Sequence, residues 1–299
     1  MNVVVDDALR ARVKNLEAMP AMPAILAPLM RCLELPPDQI EVEKVTELIS
    51  CDKSIAAQCL RMANSALFSR RSSIETVRGA VIALGARRLR DILWTSFLMK
   101  MSPQQGRWPI NPMTFWEHSF GCALVTQQLG KKIALPEIEK VYLCGLLHDI
   151  GELVNATLLP EEFRNAVDLA TRRHIPLFEA ERELMGFTHC DTGKLLGDYW
   201  NLSSDIQNVI QFHHTPELAL APTAVVALVH LSDLLCRLRG MGYGYDELQE
   251  VDFRESPAWS LLRKAVPLLE SFDVARFTME LDAEAEEIHD LVASAFQHS

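Results

Sequence analysis

The stretch Gly145-Leu146-Leu147-His148-Asp149-Ile150-Gly151 decides how this chain is read. It closes an apolar helical run with an adjacent histidine and aspartate. A carboxylate buried in such a run loses its hydration and must find a partner. What the pair does depends on whether other residues elsewhere in the chain converge on it.

Apolar residues recur at helical spacing on both sides of it. Residues 1–17 read as a short polar lead-in helix. Prolines 20 and 23 fix the entry to a helix carrying Ile25, Leu26, Leu29, Met30 and Leu33, which Pro36-Pro37 stops. Helices are predicted over about 42–49 and after Asp52, a good N-cap, with Asn64-Ser65 closing the second. Ser72-Ser73 starts another, Gly85 breaks it, and the pattern resumes from Arg87 to Met99. Sustained period-two alternation is absent, so strands are not expected. Pro103, Gly106, Pro109 and Pro112 mark the clearest boundary. Beyond it, Thr114 is expected to cap a helix to about Leu129, and Pro136 to open the helix that ends at His148-Asp149. Helix then follows helix to a joint at glycines 240, 242 and 244. A tail from about Asp252 adds two or three helices, the last amphipathic through Ile288, Leu291, Val292 and Phe296. The expected fold class is all-α: a two-lobed helical bundle with a carboxy-terminal helical extension.

Composition narrows the function. With 49% apolar and 23% charged residues the chain has the make-up of a folded globule. A net charge of −11 disfavours a protein that binds nucleic acid or anionic membrane over its whole surface. The seven cysteines form no CxxC pair and read as reduced thiols. The amino terminus lacks a basic segment and a long apolar core, and the most apolar helix, around 224–235, is interrupted by His230 and Asp233. No membrane insertion and a cytoplasmic location are the expectation.

Polar residues set into apolar helices mark the candidate site. His118 stands among Phe115, Trp116, Phe120 and Leu124. His189 follows Thr188, a predicted N-cap with Asp191 at the third helical position. His213-His214 ends a helix before Pro216, and Asp233 lies in a helix apolar on nearly every side. Imidazole and carboxylate together suit first-row divalent metals, and a bundle core is where helical proteins place them. Each residue also has a plainer explanation: a core histidine is usually a hydrogen-bonded structural group, as is expected for His230, and a histidine at a helix end is favoured by the helix dipole. Cys190, beside His189, could be a soft metal ligand or a redox thiol, but a buried thiol is the expectation. The five tryptophans are expected to be core residues.

The order of these residues resembles the HD superfamily of metal-dependent phosphohydrolases. The segments 19–25, Leu48-Ile49-Ser50-Cys51-Asp52, Leu60 to Phe68, Ala83 to Leu89, Gly145 to Gly151 and Glu183 to His189 resemble its HDOD branch, output domains of bacterial signalling proteins. The likeness covers residues 18–240, divided into an amino-terminal helical lobe (18–108) and an HD-like lobe (109–240), with 246–299 as the extension. It implies a signal-transduction role through other signalling proteins, and metal ligands at His118, His148, Asp149, His189, His213, His214 and Asp233 for one or two ions of iron, manganese or zinc. No catalytic residue is firmly implied; in an enzyme Asp149 would bridge the ions. Glu152 stands where the related HD-GYP cyclic-di-GMP phosphodiesterases carry lysine, and no Gly-Tyr-Pro follows His214, so hydrolysis of cyclic-di-GMP is not expected. No receiver domain precedes residue 18, so the expectation is a module that acts alone or takes its signal through a partner.

One segment runs against the overall charge. Residues 61–90 hold Arg61, Arg70, Arg71, Arg78, Arg87, Arg88 and Arg90 against one acid, Glu75, a local +6 that leaves −17 for the rest. It could dock an acidic partner, a nucleotide or nucleic acid, although a solvated face paired with neighbouring acids is the ordinary reading. Arg61 and Asn64 are expected to fix packing between the lobes.

Overall fold

The structure, a computed structural model, describes residues 25–33, 37–64, 73–101, 108–136, 140–220, 223–243 and 253–296, together with 22, 35 and 138. Every regular element among them is a helix. The lead-in segment, most of residues 19–25, Arg70, Arg71 and Gly244 lie outside the described residues. The described residues fall into two compact units, one within 21–102 plus 286–299 and the other within 103–285.

The first unit holds α1 (Leu26–Leu33), α2 (Val42–Ser50), α3 (Lys53–Ala63) and α4 (Val77–Lys100). Leu29, Val45, Ile49, Cys59, Met62 and Leu89 are its buried stripe. The Asp52 carboxylate accepts from the Ile55 amide at 3.0 Å, so α3 is capped where the sequence places the cap. Helix α4 is two helical segments joined at Gly85, whose φ of 71° and ψ of 169° break the hydrogen-bond ladder. Its start differs from expectation: Thr76, accepting from the Gly79 amide at 2.9 Å, is the cap. Asn64 donates to the carbonyls of Leu60 and Ile74 and accepts from the Ile74 amide at 2.7 Å. It clamps the return of the chain after α3.

The second unit carries α5 (Pro112–Lys132), α6 (Val141–Leu147), α7 (Ile150–Leu158), α8 (Pro160–Arg173), α9 (Leu177–Met185), α10 (His189–Tyr199), α11 (Ser204–Phe212), α12 (Thr223–Leu238), α13 (Pro257–Ala265) and most of α14 (Val274–Phe296). Helix α5 is capped by Asn111, which accepts from the Met113 amide at 3.0 Å, with Pro112 at its first position; Thr114 is already inside the helix. An asparagine followed by proline satisfies a free amide and fixes the first φ, and it outcompetes the threonine two residues on. Helix α6 begins only at Val141, later than Pro136 suggests.

Two glycines let the helices of this unit approach closely. A Cβ on Gly145 would lie 2.8 Å from the Cα of Ala123 and from the carbonyl oxygen of Cys122, so α6 presses on the backbone of α5. A Cβ on Gly151 would lie 1.8 Å from the carbonyl oxygen of His189, so α7 presses on the first turn of α10. The glycines bracketing His148-Asp149 thus hold the pair between two other helices. All five tryptophans are buried, as expected of core residues.

Candidate metal centre

His148 and Asp149 occupy a break between α6 and α7. His148 keeps helical φ and ψ, but Asp149 (φ −100°, ψ 16°) does not, and the chain turns there before α7 begins. The turn aims both side chains inward. His118 comes from the middle of α5, His189 from the first turn of α10, His213 from the end of α11 with His214 following, and Asp233 from α12. The α10 turn is fixed by Asp191, whose carboxylate accepts from the Thr188 amide at 2.9 Å. All seven sequence-predicted residues therefore meet in one unit.

Asp149 is the centre. Its Oδ2 lies 3.0 Å from His148 Nε2 and 3.5 Å from His118 Nε2, and it accepts the hydroxyl of Tyr243. Its Oδ1 lies 3.0 Å from His213 Nε2 and 3.4 Å from His189 Nε2. Asp233 Oδ1 is 3.2 Å from His118 Nε2 and accepts from Arg237 Nε at 2.7 Å. The two oxygens of Asp149 thus face two groups: His118, His148 and Asp233 on one side, His189, His213 and His214 on the other.

The tautomers follow from the outer nitrogens. His118 Nδ1 is 2.7 Å from the Met241 carbonyl and His148 Nδ1 is 2.7 Å from the Gly145 carbonyl. A carbonyl only accepts, so both Nδ1 atoms carry hydrogen and a neutral ring presents its lone pair at Nε2. These two Nε2 atoms stand 3.2 Å apart, and His189 and His214 repeat the arrangement at 3.1 Å. His213 Nε2 and Asp149 Oδ1, although close, are not aligned for a hydrogen bond. Both are buried polar atoms with no hydrogen-bond partner among the described residues. Lone pairs and carboxylates converge here and call for positive charge between them, and the donor set fits a divalent metal on that ground.

The ionisation behaviour without a cation points the same way. Burial opposes charging His118, yet Asp149 and Asp233 outweigh it and lift its pKa to about 10. Burial likewise opposes charging His148 and His213, but Asp149 beside the first raises it to about 9, and Cys190 with Asp149 raises the second to about 10. Asp149 is held well below the usual carboxylate range despite burial, by His148 and its neighbours, and Asp233 by Arg237 and His118. His214 is kept neutral by burial and by His213 and His189. Protons hold the place that a cation would fill.

Glu181, Arg237 and Tyr243 belong to the site although the sequence reading did not single them out. Glu181 holds His189 twice, accepting from its amide at 2.8 Å and meeting Nδ1 at 2.7 Å, and is itself held by Asn155 at 2.8 Å. Its signal was present: Leu177, Glu181 and Met185 fall on one buried face of α9. Arg237 stands four residues from Asp233, the spacing of a helical ion pair. Glu152 is 1% exposed, and one of its oxygens has no hydrogen-bond partner among the described residues. Burial and the nearby Asp149 raise its pKa well above the ordinary value. Tyr243 lies just after α12, outside any helix, and nothing in its local sequence marks it. His230 is a hydrogen-bonded structural residue, its Nδ1 2.7 Å from the His213 carbonyl. His214, partly exposed, stacks on Phe178 with ring centroids 4.4 Å apart, and Arg182 lies over the Phe178 ring.

The arginine segment lies in the other unit. Arg78 pairs with Glu43 at 3.1 Å, so part of its charge is answered locally, as the ordinary reading has it. No described helix is long and apolar enough to cross a membrane.

Known proteins resemble this chain over most of its length. The HDOD domain family matches residues 19–216. An HDOD domain protein of unknown function from Geobacter sulfurreducens has a similar structure, with 28% identity, a TM-score of 0.80, and coverage of 96% of this chain and 97% of that one. A Marinobacter aquaeolei protein provisionally named a signal transduction protein shares the fold at 20% identity and a TM-score of 0.74, over 99% of this chain and 66% of its own. An uncharacterized protein of Treponema pallidum (strain Nichols) is 26% identical over 204 residues, 67% of this chain; the match spans only 38% of that relative's length.

Proposed function

Because the chain belongs to the HDOD domain family, we propose that it is a regulatory module of signal transduction, built around a buried divalent-metal centre and acting through other signalling proteins. His118, His148 and Asp233 would hold an ion on one side of Asp149, and His189, His213 and His214 would hold one on the other. A bound ion would supply the positive charge these residues call for and would cross-link α5, the α6–α7 turn, α10, α11 and α12.

The observation that carries this proposal is closure. His118, His148 and His213 are 0% exposed, and Asp149, His189 and Asp233 are 1% exposed. Structural metal sites are closed, whereas catalytic ones keep an open position for water and substrate. Tyr243 and Arg237 hold the two aspartates from outside, donating to Asp149 Oδ2 and Asp233 Oδ1. The provisional assignment of the Marinobacter protein to signal transduction agrees with this role.

A phosphohydrolase is the second reading, and one observation favours it: the Asp149 carboxylate presents one oxygen to each trio, as a carboxylate shared by two ions would. His214, on the partly exposed side, would then face the substrate.

Elemental analysis of the purified protein beside Asp149→Ala, with thermal unfolding and a phosphodiester hydrolysis assay, tests the proposal. Bound iron, manganese or zinc in the native protein, reduced in the variant, with a metal-dependent rise in Tm and no turnover, is the expected result. A protein that binds no metal, or hydrolysis that disappears in His148→Ala, would overturn it.

A further inference from the structure

The two sides of Asp149 differ in chemistry. One offers only nitrogen and oxygen: His118, His148 and Asp233. The other includes a sulfur. One ligand atom from each of His189, Cys190, His213 and His214 lies within 4.8 Å of the others, and three of these four side chains are buried. Cys190 Sγ is 6% exposed and lies 4.0 Å from His213 Nδ1, the nitrogen that also faces the Val209 and Ile210 carbonyls at 3.2 and 3.1 Å, so the thiol stands beside a ring whose Nε2 is left for a metal. Cys190 follows His189 in the first turn of α10, so the Thr188–Asp191 cap that fixes the histidine fixes the thiol with it. The unpartnered His213 Nε2 belongs to this same side.

We propose that Cys190 is a metal ligand: with His189, His213 and His214 it forms a sulfur-containing half-site selective for a soft or borderline ion such as zinc, while the nitrogen–oxygen half takes a harder ion such as manganese or iron. The inference rests on the proposal that the cluster holds metal, and adds a ligand and a selectivity to it. Thiolate favours zinc and disfavours manganese, and imidazole with carboxylate accommodates manganese or iron, so one carboxylate separates two sites of different preference. Binding at the sulfur half transfers the thiol proton to solvent as the metal–sulfur bond forms.

Cobalt(II) tests this in the full-length protein, because cobalt bound to a thiolate shows a sulfur-to-metal charge-transfer absorption in the near ultraviolet that nitrogen and oxygen ligands do not give. The metal-free protein, Cys190→Ser and Cys122→Ser are titrated with cobalt(II), and bound cobalt is counted. The native protein and Cys122→Ser are expected to show the band, and Cys190→Ser to bind cobalt without it. Circular dichroism of the variants separates loss of the band from loss of the fold. Should Cys190→Ser fail to fold, extended X-ray absorption of the zinc-loaded native protein decides, a zinc–sulfur shell supporting the inference and its absence overturning it. Cobalt bound by the native protein without the band, or a band that survives in Cys190→Ser, overturns the thiolate and leaves the metal centre standing. No cobalt bound at all overturns both.

Discussion

Gly151→Ala is the smallest change that should disturb the whole centre. The added methyl carbon would lie 1.8 Å from the His189 carbonyl oxygen and 2.7 Å from the Gly193 amide nitrogen, where ordinary contact begins at 3.4 Å. Both obstacles are backbone, so no side chain can swing aside, and restoring ordinary contact at the His189 oxygen, from 1.8 to 3.4 Å, asks α7 and α10 to separate by about 1.6 Å. Alanine in place of glycine inside a helix is worth about 1 kcal/mol. Overpacking costs ~1–3 kcal/mol, and a backbone clash sits at the upper end. The net is a loss of about 2 kcal/mol, or ~4–8 °C in Tm for a domain of this size. The shift also carries His189 away from Asp149 Oδ1, now 3.4 Å from its Nε2, by far more than the roughly 0.2 Å that ligand distances tolerate. Urea and thermal unfolding of Gly151→Ala, with and without zinc, would be compared with Gly197→Ala. That control lies in α10, where an added Cβ would meet the flexible Gln207 side chain at 3.2 Å and a Leu202 methyl at an ordinary 3.9 Å. The control should change little. A Gly151→Ala protein as stable as the native one, and as strongly stabilised by zinc, would refute the close approach and its link to the site.

Glu181→Gln removes the charge that orients His189 and should weaken metal binding by ~10–100-fold with little effect on helix content, measured by competition against a chromophoric chelator. Without metal, His118 and His213 (about 10) and His148 (about 9) sit above the ordinary histidine value of 6.5. Their contribution to stability is complete below that value and is lost as pH rises through 9 to 10. The Tm of the metal-free protein should therefore fall between pH 7 and 10. Metal displaces the same protons, so the loaded protein should hold its Tm over that range. Calorimetric titration in buffers of different ionisation enthalpy should show protons released on binding; a metal-free Tm flat to pH 10 would contradict the assigned charges.

Much of the centre was legible because its residues break an apolar pattern. His118 and Asp233 interrupt helices that are otherwise core, and burial of a carboxylate demands an explanation whatever the fold. Asp52 and Thr188 mark helix starts for the same local reason. Glu181 was equally readable on the buried face of α9, as was Arg237 by its spacing from Asp233. Tyr243 was not, because tertiary placement alone brings a loop hydroxyl to Asp149. Nor could the sequence say that Gly151 touches the backbone of His189; a glycine in a helix is silent until its neighbour is known. The start of α5 was misplaced because Thr114 was weighed without the Asn111-Pro112 pair, and that of α6 because a proline permits a helix without obliging it to begin.

The stacking of Phe178 on His214 has a consequence in time. His214 is the one partly exposed member of the cluster, and an aromatic ring covers it. An ion held as proposed would have this corner as its least buried way out, so its residence would be set by local opening near α9. Such a centre would ignore brief swings in free metal and register only sustained ones, making occupancy a slow record of the metal supply under which the chain folded.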